Sequence, residues 1–396
     1  MPKPLITNFK TLAATKLRRD ALNIWTAGVQ AVETQKVIRS AVKRQGNTLT
    51  IGRKKYQLND YQRIYLVGIG KASFDAALAL EKILKSKIKG GVVLCTVPGE
   101  LQYAQCVTGT HPLPSAVNVR ATAQIVSLLK QADSQDLIIT VVSGGGSALL
   151  CQPYQITCDQ VSRITQLLMK KGATIRELNT ARKHLSEIQG GQFVRLAHPA
   201  TVISLIFSDV PGDNLDEIAS GPTVLDKTTA HDAARILQKY NVLNECRLPH
   251  CQVLETPKDK KLFKNVHNEL LVTNKLAIQA MARKAEQLGY QPKILSAKLQ
   301  GEARLIGKKL AQAVKPGQAL IAGGETTVLV KNGGQGGRNQ EVALGALEHL
   351  PANALVLSGA SDGIDNSPVA GALVDGLVQQ KAEKKTTFGR GLSKGQ

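Results

Sequence analysis

One stretch constrains this chain more than any other: Leu137-Ile138-Ile139-Thr140-Val141-Val142-Ser143-Gly144-Gly145-Gly146-Ser147-Ala148-Leu149-Leu150. Its first six residues are all apolar or β-branched, which suits a strand buried on both faces of a parallel sheet. Three glycines bracketed by serines come next, and then a short apolar run able to start a helix. Glycine accepts positive φ and lets the backbone approach a ligand closely. The start of a helix offers free N–H groups and the positive end of its dipole. Strand, glycine nest and helix start together make an anion site with Ser143, Gly144, Gly145, Gly146 and Ser147 as its candidate residues. A ligand-free βα turn is the competing reading, although a turn alone requires fewer glycines.

Such a strand belongs to an α/β sheet, and 396 residues are too many for one comfortable core, so two domains are expected. A hydrophobic content of 43% and a mean hydropathy of −0.09 are those of a soluble globular protein. The longest apolar runs, around 137–142 and 202–207, are far too short to span a membrane. Met1–Lys10 has no apolar signal region. Six cysteines form no CxxC pair and no zinc spacing, as expected of reduced thiols in a cytoplasmic protein. The net charge of +21 is concentrated at the ends: residues 1–60 carry twelve Lys/Arg against three acids, and 376–396 carry five against one. Aromatic residues are only 4% of the chain and none interleaves with the basic runs, so specific nucleic-acid binding is not expected. A general attraction for anionic metabolites fits better.

Residues 14–44 place Leu17, Leu22, Trp25, Val29 and Val32 at helical spacing, and Thr48–Leu58 reads as a hairpin. Arg63–Val67 is a strand feeding Gly68-Ile69-Gly70-Lys71-Ala72-Ser73 and an amphipathic helix, the first unit of a Rossmann-like sheet. This loop lacks the spacing of a Walker A loop. It also lacks the third glycine of a dinucleotide fingerprint, and the strand Gly91–Cys95 ends in Thr96-Val97-Pro98 without the ribose-binding acid. NAD is therefore disfavoured. Lys71 at a glycine turn is placed to meet phosphate, with a plain surface lysine as the alternative. His111, between Thr110 and Pro112, either orients a ligand or is a hydrogen-bonded loop residue. Asn179, Arg182 and Lys183 share a face of a helix over 174–189, which is either solvated or a clamp for a substrate carboxylate. The strand Thr201–Phe207 ends in Ser208-Asp209-Val210-Pro211-Gly212-Asp213; Asp209 and Asp213 there suit magnesium or a substrate hydroxyl, or else cap the turn.

A boundary is expected in the lysine-rich stretch before residue 266. It gives a Rossmann-like domain over 1–265, a smaller α/β domain over 266–378, and a basic, disordered tail over 379–396. The second domain should begin with the strand Glu269–Thr273. It includes Gly323-Gly324-Glu325, a strand over 327–331, and Gly333-Gly334-Gln335-Gly336-Gly337 leading to Arg338 and Asn339 at a helix start. With glycine loops in both domains, the site is expected in the cleft between them.

Val67-Gly68-Ile69-Gly70-Lys71-Ala72, Gly109-Thr110-His111-Pro112-Leu113-Pro114, Ser143-Gly144-Gly145-Gly146-Ser147-Ala148 and Ser208-Asp209-Val210-Pro211-Gly212-Asp213 occur in that order. Ile218-Ala219-Ser220-Gly221-Pro222-Thr223, Gly301-Glu302-Ala303-Arg304, Gly323-Gly324-Glu325-Thr326 and Gly336-Gly337-Arg338-Asn339-Gln340-Glu341 come after them. From about residue 15 to 376 the chain resembles the glycerate 2-kinases with a MOFRL-type C-terminal domain. The resemblance implies ATP-dependent phosphorylation of D-glycerate to 2-phosphoglycerate with magnesium. Lys71 and Arg338 would stabilise the phosphoryl group. Asp209, supported by Asp213, would hold metal or orient the hydroxyl. Gly70, His111, Ser143–Ser147, Asn179, Arg182, Gly324, Glu325, Gly337 and Asn339 would bind substrate or nucleotide. A homodimer is the expected assembly. Some relatives carry the name hydroxypyruvate reductase, which the missing dinucleotide signals argue against. Asn214 and Asn366-Ser367-Pro368-Val369 depart from the family pattern. After Gly371-Ala372-Leu373-Val374-Asp375 relatives continue with a Thr-Gly-Pro-Thr-Gly-Thr-Asn-Val-Asn-Asp-Leu stretch that differs from the tail here. The expectation drawn from this is a less stable second domain and a weakened kinase.

Overall fold

In the computed structural model, which describes residues 5–248, 250–330 and 335–392, the chain divides into two compact units, 33–273 and 1–32 with 274–396. The larger unit opens with a small antiparallel sheet of β1 (Val42–Gln45), β2 (Thr48–Ile51) and β3 (Lys54–Gln57). Then come β4 (Arg63–Ile69), β5 (Ile88–Cys95), β6 (Gln105–Thr108), β7 (Asp136–Val142), β8 (Thr201–Phe207) and β9 (Val266–Val272). These six form one parallel sheet in the order β6-β5-β4-β7-β8-β9.

All seven residues of β7 are buried, as the unbroken apolar run requires. Asp136 is the one charge in that run. It survives burial because Arg63 grips both carboxylate oxygens, at 2.8 and 2.6 Å. The chain leaves β4 toward β5 and β6 on one side and returns to β7, β8 and β9 on the other. The switch point therefore lies between the carboxyl ends of β4 and β7, where open α/β sheets bind ligands.

Local signals set the helices around this sheet. Thr157, Thr174 and Thr229 each close a capping box at the start of helices Cys158–Lys170, Ile175–His184 and Ala230–Lys239. The helix expected over 174–189 stops at His184, and a separate helix, Gln192–Ala197, comes after it. His184 is held where the helix ends by bonds to the Leu254 carbonyl (2.7 Å) and Thr228 (3.2 Å).

The unit boundary differs from the expected 265/266 division. The strand assigned to the start of the second domain is β9, which completes the first sheet by pairing with β8 and is tied to β3 through Tyr56 Oη and His267 Nδ1 at 2.6 Å. The other unit takes back the N-terminal helix Lys16–Ala31, which packs on helix Asn274–Gln287. Arg18 clamps Asp375 with two bonds of 2.6 Å, and Tyr290 donates to Asp20 at 2.9 Å. This unit carries the parallel pair β10 (Gln291–Leu299) and β11 (Gln318–Gly324), and the antiparallel pair β12 (Leu355–Gly359) and β13 (Gly371–Asp375).

No strand forms over 327–330; Thr327 makes a single bridge to Glu302, and Lys331, Gly333 and Gly334 lie outside the described residues. The stretch expected to be disordered from 379 is helical: one helix runs Gly376–Leu392. Its first turn is anchored, because Val378 packs on the unit's core and Gln379 donates to the Leu347 carbonyl at 2.8 Å. The Lys, Ala and Glu residues beyond that turn are good helix formers. Residues 393–396 lie outside the described residues. Among the described residues, no helix is long and apolar enough to cross a membrane.

Candidate active site

The loops after β4 and β7 are bolted together by their own backbones. The Ser143 amide donates to the Ile69 carbonyl (2.9 Å), the Lys71 amide to Gly144 (2.9 Å) and the Ala72 amide to Ser143 Oγ (3.1 Å). Gly70 turns at φ 113° directly against Ser143. Two glycines of the nest do separate jobs. Gly145 sits at φ 80°, a conformation that L side chains avoid. Gly144 has no unusual φ, but a Cβ there would lie 1.9 Å from Asp209 Oδ2. It is glycine because a carboxylate occupies the space a side chain would need.

Three sequence candidates thus meet on two glycines. The Asp209 carboxylate lies over Gly144, while the His111 ring and the Lys71 stem lie 3.1 and 3.4 Å from the point where a Cβ on Gly145 would stand. Lys71 and Asp209 are both exposed. Partial burial, and next the charge of Lys71, lowers the His111 pKa below its ordinary value, which keeps the ring neutral near pH 7. Ser147 is oriented by Ser220 (Oγ to Oγ, 2.9 Å). Ser220 lies in a run of left-handed residues, Ala219, Ser220 and Gly221 at φ 50°, 58° and 58°, packed against Gly146. Non-glycine residues in this region are strained, and here the strain sits beside the nest.

Asn118 is the functional support that sequence reasoning missed. Fully buried, it accepts from the Thr110 amide (2.8 Å) and donates to the Thr110 and Ala148 carbonyls (3.0 and 3.1 Å), joining the His111 loop to the nest helix. Its signal was present: Asn118 and Thr122 are polar positions in the buried stripe Asn118, Ala121, Thr122, Ile125, Leu129.

The remaining candidates separate. Asp213 takes a left-handed turn position at φ 59°, which a short polar side chain tolerates. Lys183 does not join Arg182 and Asn179 in a clamp; it turns into a buried pair with Asp226 at 3.2 Å. Arg182 has no hydrogen-bond or ion-pair partner among the described residues, and Asn179, 5% exposed, lies three residues before it on the same helix.

The other unit holds its own group. Arg338 pairs with Glu325 at 2.5 Å, both half-exposed. The helix start Arg338–Leu347 is already capped: Asp365 accepts from the Asn339 and Gln340 amides at 3.1 and 2.9 Å, and also from the Asn339 side chain. A Cβ on Gly337 would strike this carboxylate at 2.4 Å. The acid of the loop that departs from the family pattern is therefore a helix cap. Gly324 is glycine for strand pairing, since a Cβ would come 2.1 Å from the Leu299 carbonyl oxygen.

A parallel sheet with a glycine nest, a lysine and a carboxylate at its switch point has the make-up of an α/β enzyme. Residues 20–255 match the family described as a domain of unknown function (DUF4147), and residues 318–393 match the MOFRL family. The chain is 34% identical to the glycerate 2-kinase of Pyrococcus horikoshii, covering 94% of this chain and 89% of that protein. It is 35% identical to the D-glycerate 2-kinase of Thermotoga maritima, covering 79% of each. A crystal structure of the glycerate kinase from Thermotoga maritima superimposes with a TM-score of 0.78 at 31% identity, covering 94% of this chain and 89% of that one. This chain belongs to the glycerate 2-kinase family with a MOFRL-type C-terminal region.

Proposed function

We propose that this protein transfers the γ-phosphoryl group of ATP to the 2-hydroxyl of D-glycerate, giving 2-phosphoglycerate and ADP. The observation that supports it most is the convergence of Lys71, His111 and Asp209 on Gly144 and Gly145 at the switch point. Phosphoryl transfer is largely positioning and charge stabilisation, so it requires a cation, amide donors and a carboxylate in one place. In this reading the hydroxyl oxygen attacks the γ-phosphorus as the bond to the ADP oxygen breaks. Lys71 stabilises the charge spread over the phosphoryl oxygens, and the Gly144–Ser147 loop supplies amide donors. Arg338, held by Glu325, carries the second cationic role.

Magnesium fits the donors present: it is usually held by one or two carboxylates together with substrate phosphates, and the Asp209 carboxylate stands over the nest. No cluster of three or more His, Cys, Asp or Glu side chains suited to a metal occurs among the described residues, so a cage made by protein alone is not the arrangement proposed. Asp209, with Asp213 in support, would hold the ion, which when bound neutralises phosphate charge. Asp209 can alternatively accept the proton of the attacking hydroxyl, and a magnesium titration of D209N separates the roles. A rescued rate at high magnesium marks a ligand, and a depressed kcat at saturation marks a base. The reductase alternative is disfavoured by the strand end itself, since β5 ends at Cys95 with no acid for a nicotinamide ribose. Six free cysteines favour the cytoplasm as the place of work. A homodimer, read by sedimentation, completes the proposal.

The test is K71A. Loss of one preorganised donor should lower kcat by about 10²–10³-fold with the fold intact; an unchanged kcat would return Lys71 to the ordinary surface.

A further inference from the structure

Beside the nest helix Gly146–Leu149, on the side lined by Ser147 and Ala148, is a small pocket of about 50 Å³ whose other walls include Pro112, Leu150, Gln152 and Arg182. None of its lining residues is acidic, and Arg182 is its one charged group. Some of its polar neighbours are already committed. Ser186 accepts from the Ile188 and Gln189 amides, and Gln189 donates to the Ser147 and Leu150 carbonyls at 3.0 Å each. The Arg182 guanidinium keeps its donors, with no partner among the described residues. A second group is also incomplete. Gln152 gives its amide nitrogen to Glu187 at 3.2 Å, which fixes which way the amide faces, and its buried Oε1 receives no hydrogen bond.

A largely buried guanidinium without an acceptor is costly, and burial alone lowers its proton affinity. Such a group is retained where an anion arrives to complete it. A planar fork suits a carboxylate held by two parallel bonds. The nest, with its amides and Lys71, is the better site for phosphate. Ser147 and Ala148 belong both to the nest helix and to the pocket wall, so the two sites adjoin and can take different groups of one small molecule.

We propose that the Arg182 pocket binds the carboxylate of the hydroxy-acid substrate, making Arg182 the residue that selects an acid over an uncharged polyol or aldehyde. This rests on the glycerate kinase reading and adds to it the place of the substrate's charged end.

The experiment measures KM for D-glycerate and for ATP, and turnover of glyceraldehyde as the carboxylate-free analogue, in wild type, R182Q and R182K. R182Q should raise the glycerate KM about 10–100-fold, the loss typical of a charge-assisted pair, and leave the ATP KM unchanged. Preference for glycerate over glyceraldehyde should fall by a similar factor, with R182K intermediate because it keeps the charge and loses the fork. R182Q should melt no lower than wild type, since it removes an unpaired buried charge, so misfolding can be told from lost recognition. Calorimetric titration with D-glycerate alone reads the pocket without turnover: binding to wild type and not to R182Q supports it. An unchanged glycerate KM in folded R182Q, or a rise in the ATP KM instead, overturns the proposal. Absent turnover by wild type that still binds glycerate through Arg182 would count against the kinase reading and not against the pocket.

Discussion

Gly144 shows how much one missing side chain can decide. Its hydrogen stands where the Asp209 carboxylate needs room, so G144A tests the site without touching a charged group. Because Asp209 is exposed, its side chain can swing outward at a stability cost of about 1 kcal/mol, the low end for added bulk. The carboxylate is then misplaced, and kcat should fall by about 10–100-fold. Steady-state kinetics beside a thermal melt reads both; full activity in G144A would show that the approach of Asp209 to the nest is not used. At this scale the sequence was largely legible. Lys71, His111, Asp209 and the nest were visible as glycine turns and polar residues at strand ends. The bonds made by Asn118, Gln152 and Asp365 were not, because their partners lie between 8 and 35 residues away in the chain.

Among the elements, the helix that carries Arg182 depends on its first turn. Thr174 and Glu177 form a capping box, and Glu177 also receives Lys239 at 2.6 Å and Tyr240 at 3.1 Å. The Lys239 bond, then the Thr174 amide, pull the Glu177 pKa down to about 2. A carboxylate depressed in the folded state contributes stability in full above its unfolded pKa, near 4.3, and loses it as pH falls toward about 2. E177Q should therefore be less stable than wild type at pH 7 by about 1 kcal/mol, the usual weight of a cap. The difference should close between about pH 4.3 and pH 2. Melting curves across that range check it, and a gap that stays constant with pH would show that the charge is not the source of the stability. Caps of this kind are local, and Thr-x-x-Glu was readable in sequence. The stop at His184 was not, because its partners Leu254 and Thr228 are 70 and 44 residues distant.

For the whole molecule, the fold class was legible because it depends on the unbroken apolar runs of β4, β7 and β8 and on the glycines at their ends. The division into units was not. A linear reading joins residues 1–32 to the segment directly after them, whereas Arg18 and Asp20 find Asp375 and Tyr290, 357 and 270 residues away. Likewise β9 reads as the start of a new domain until its pairing with β8 is seen. The charge of +21 favours anionic small molecules at this scale, as a kinase acting on a nucleotide and a small acid requires. The central claim is the reaction, and phosphorus NMR on the protein incubated with ATP, magnesium and D-glycerate, beside an absorbance assay with NADH or NADPH and hydroxypyruvate, tests it most directly. The expected result is ADP and a phosphate on the 2-hydroxyl of glycerate, with no nicotinamide oxidation. Nicotinamide-dependent reduction without phosphoryl transfer would contradict it.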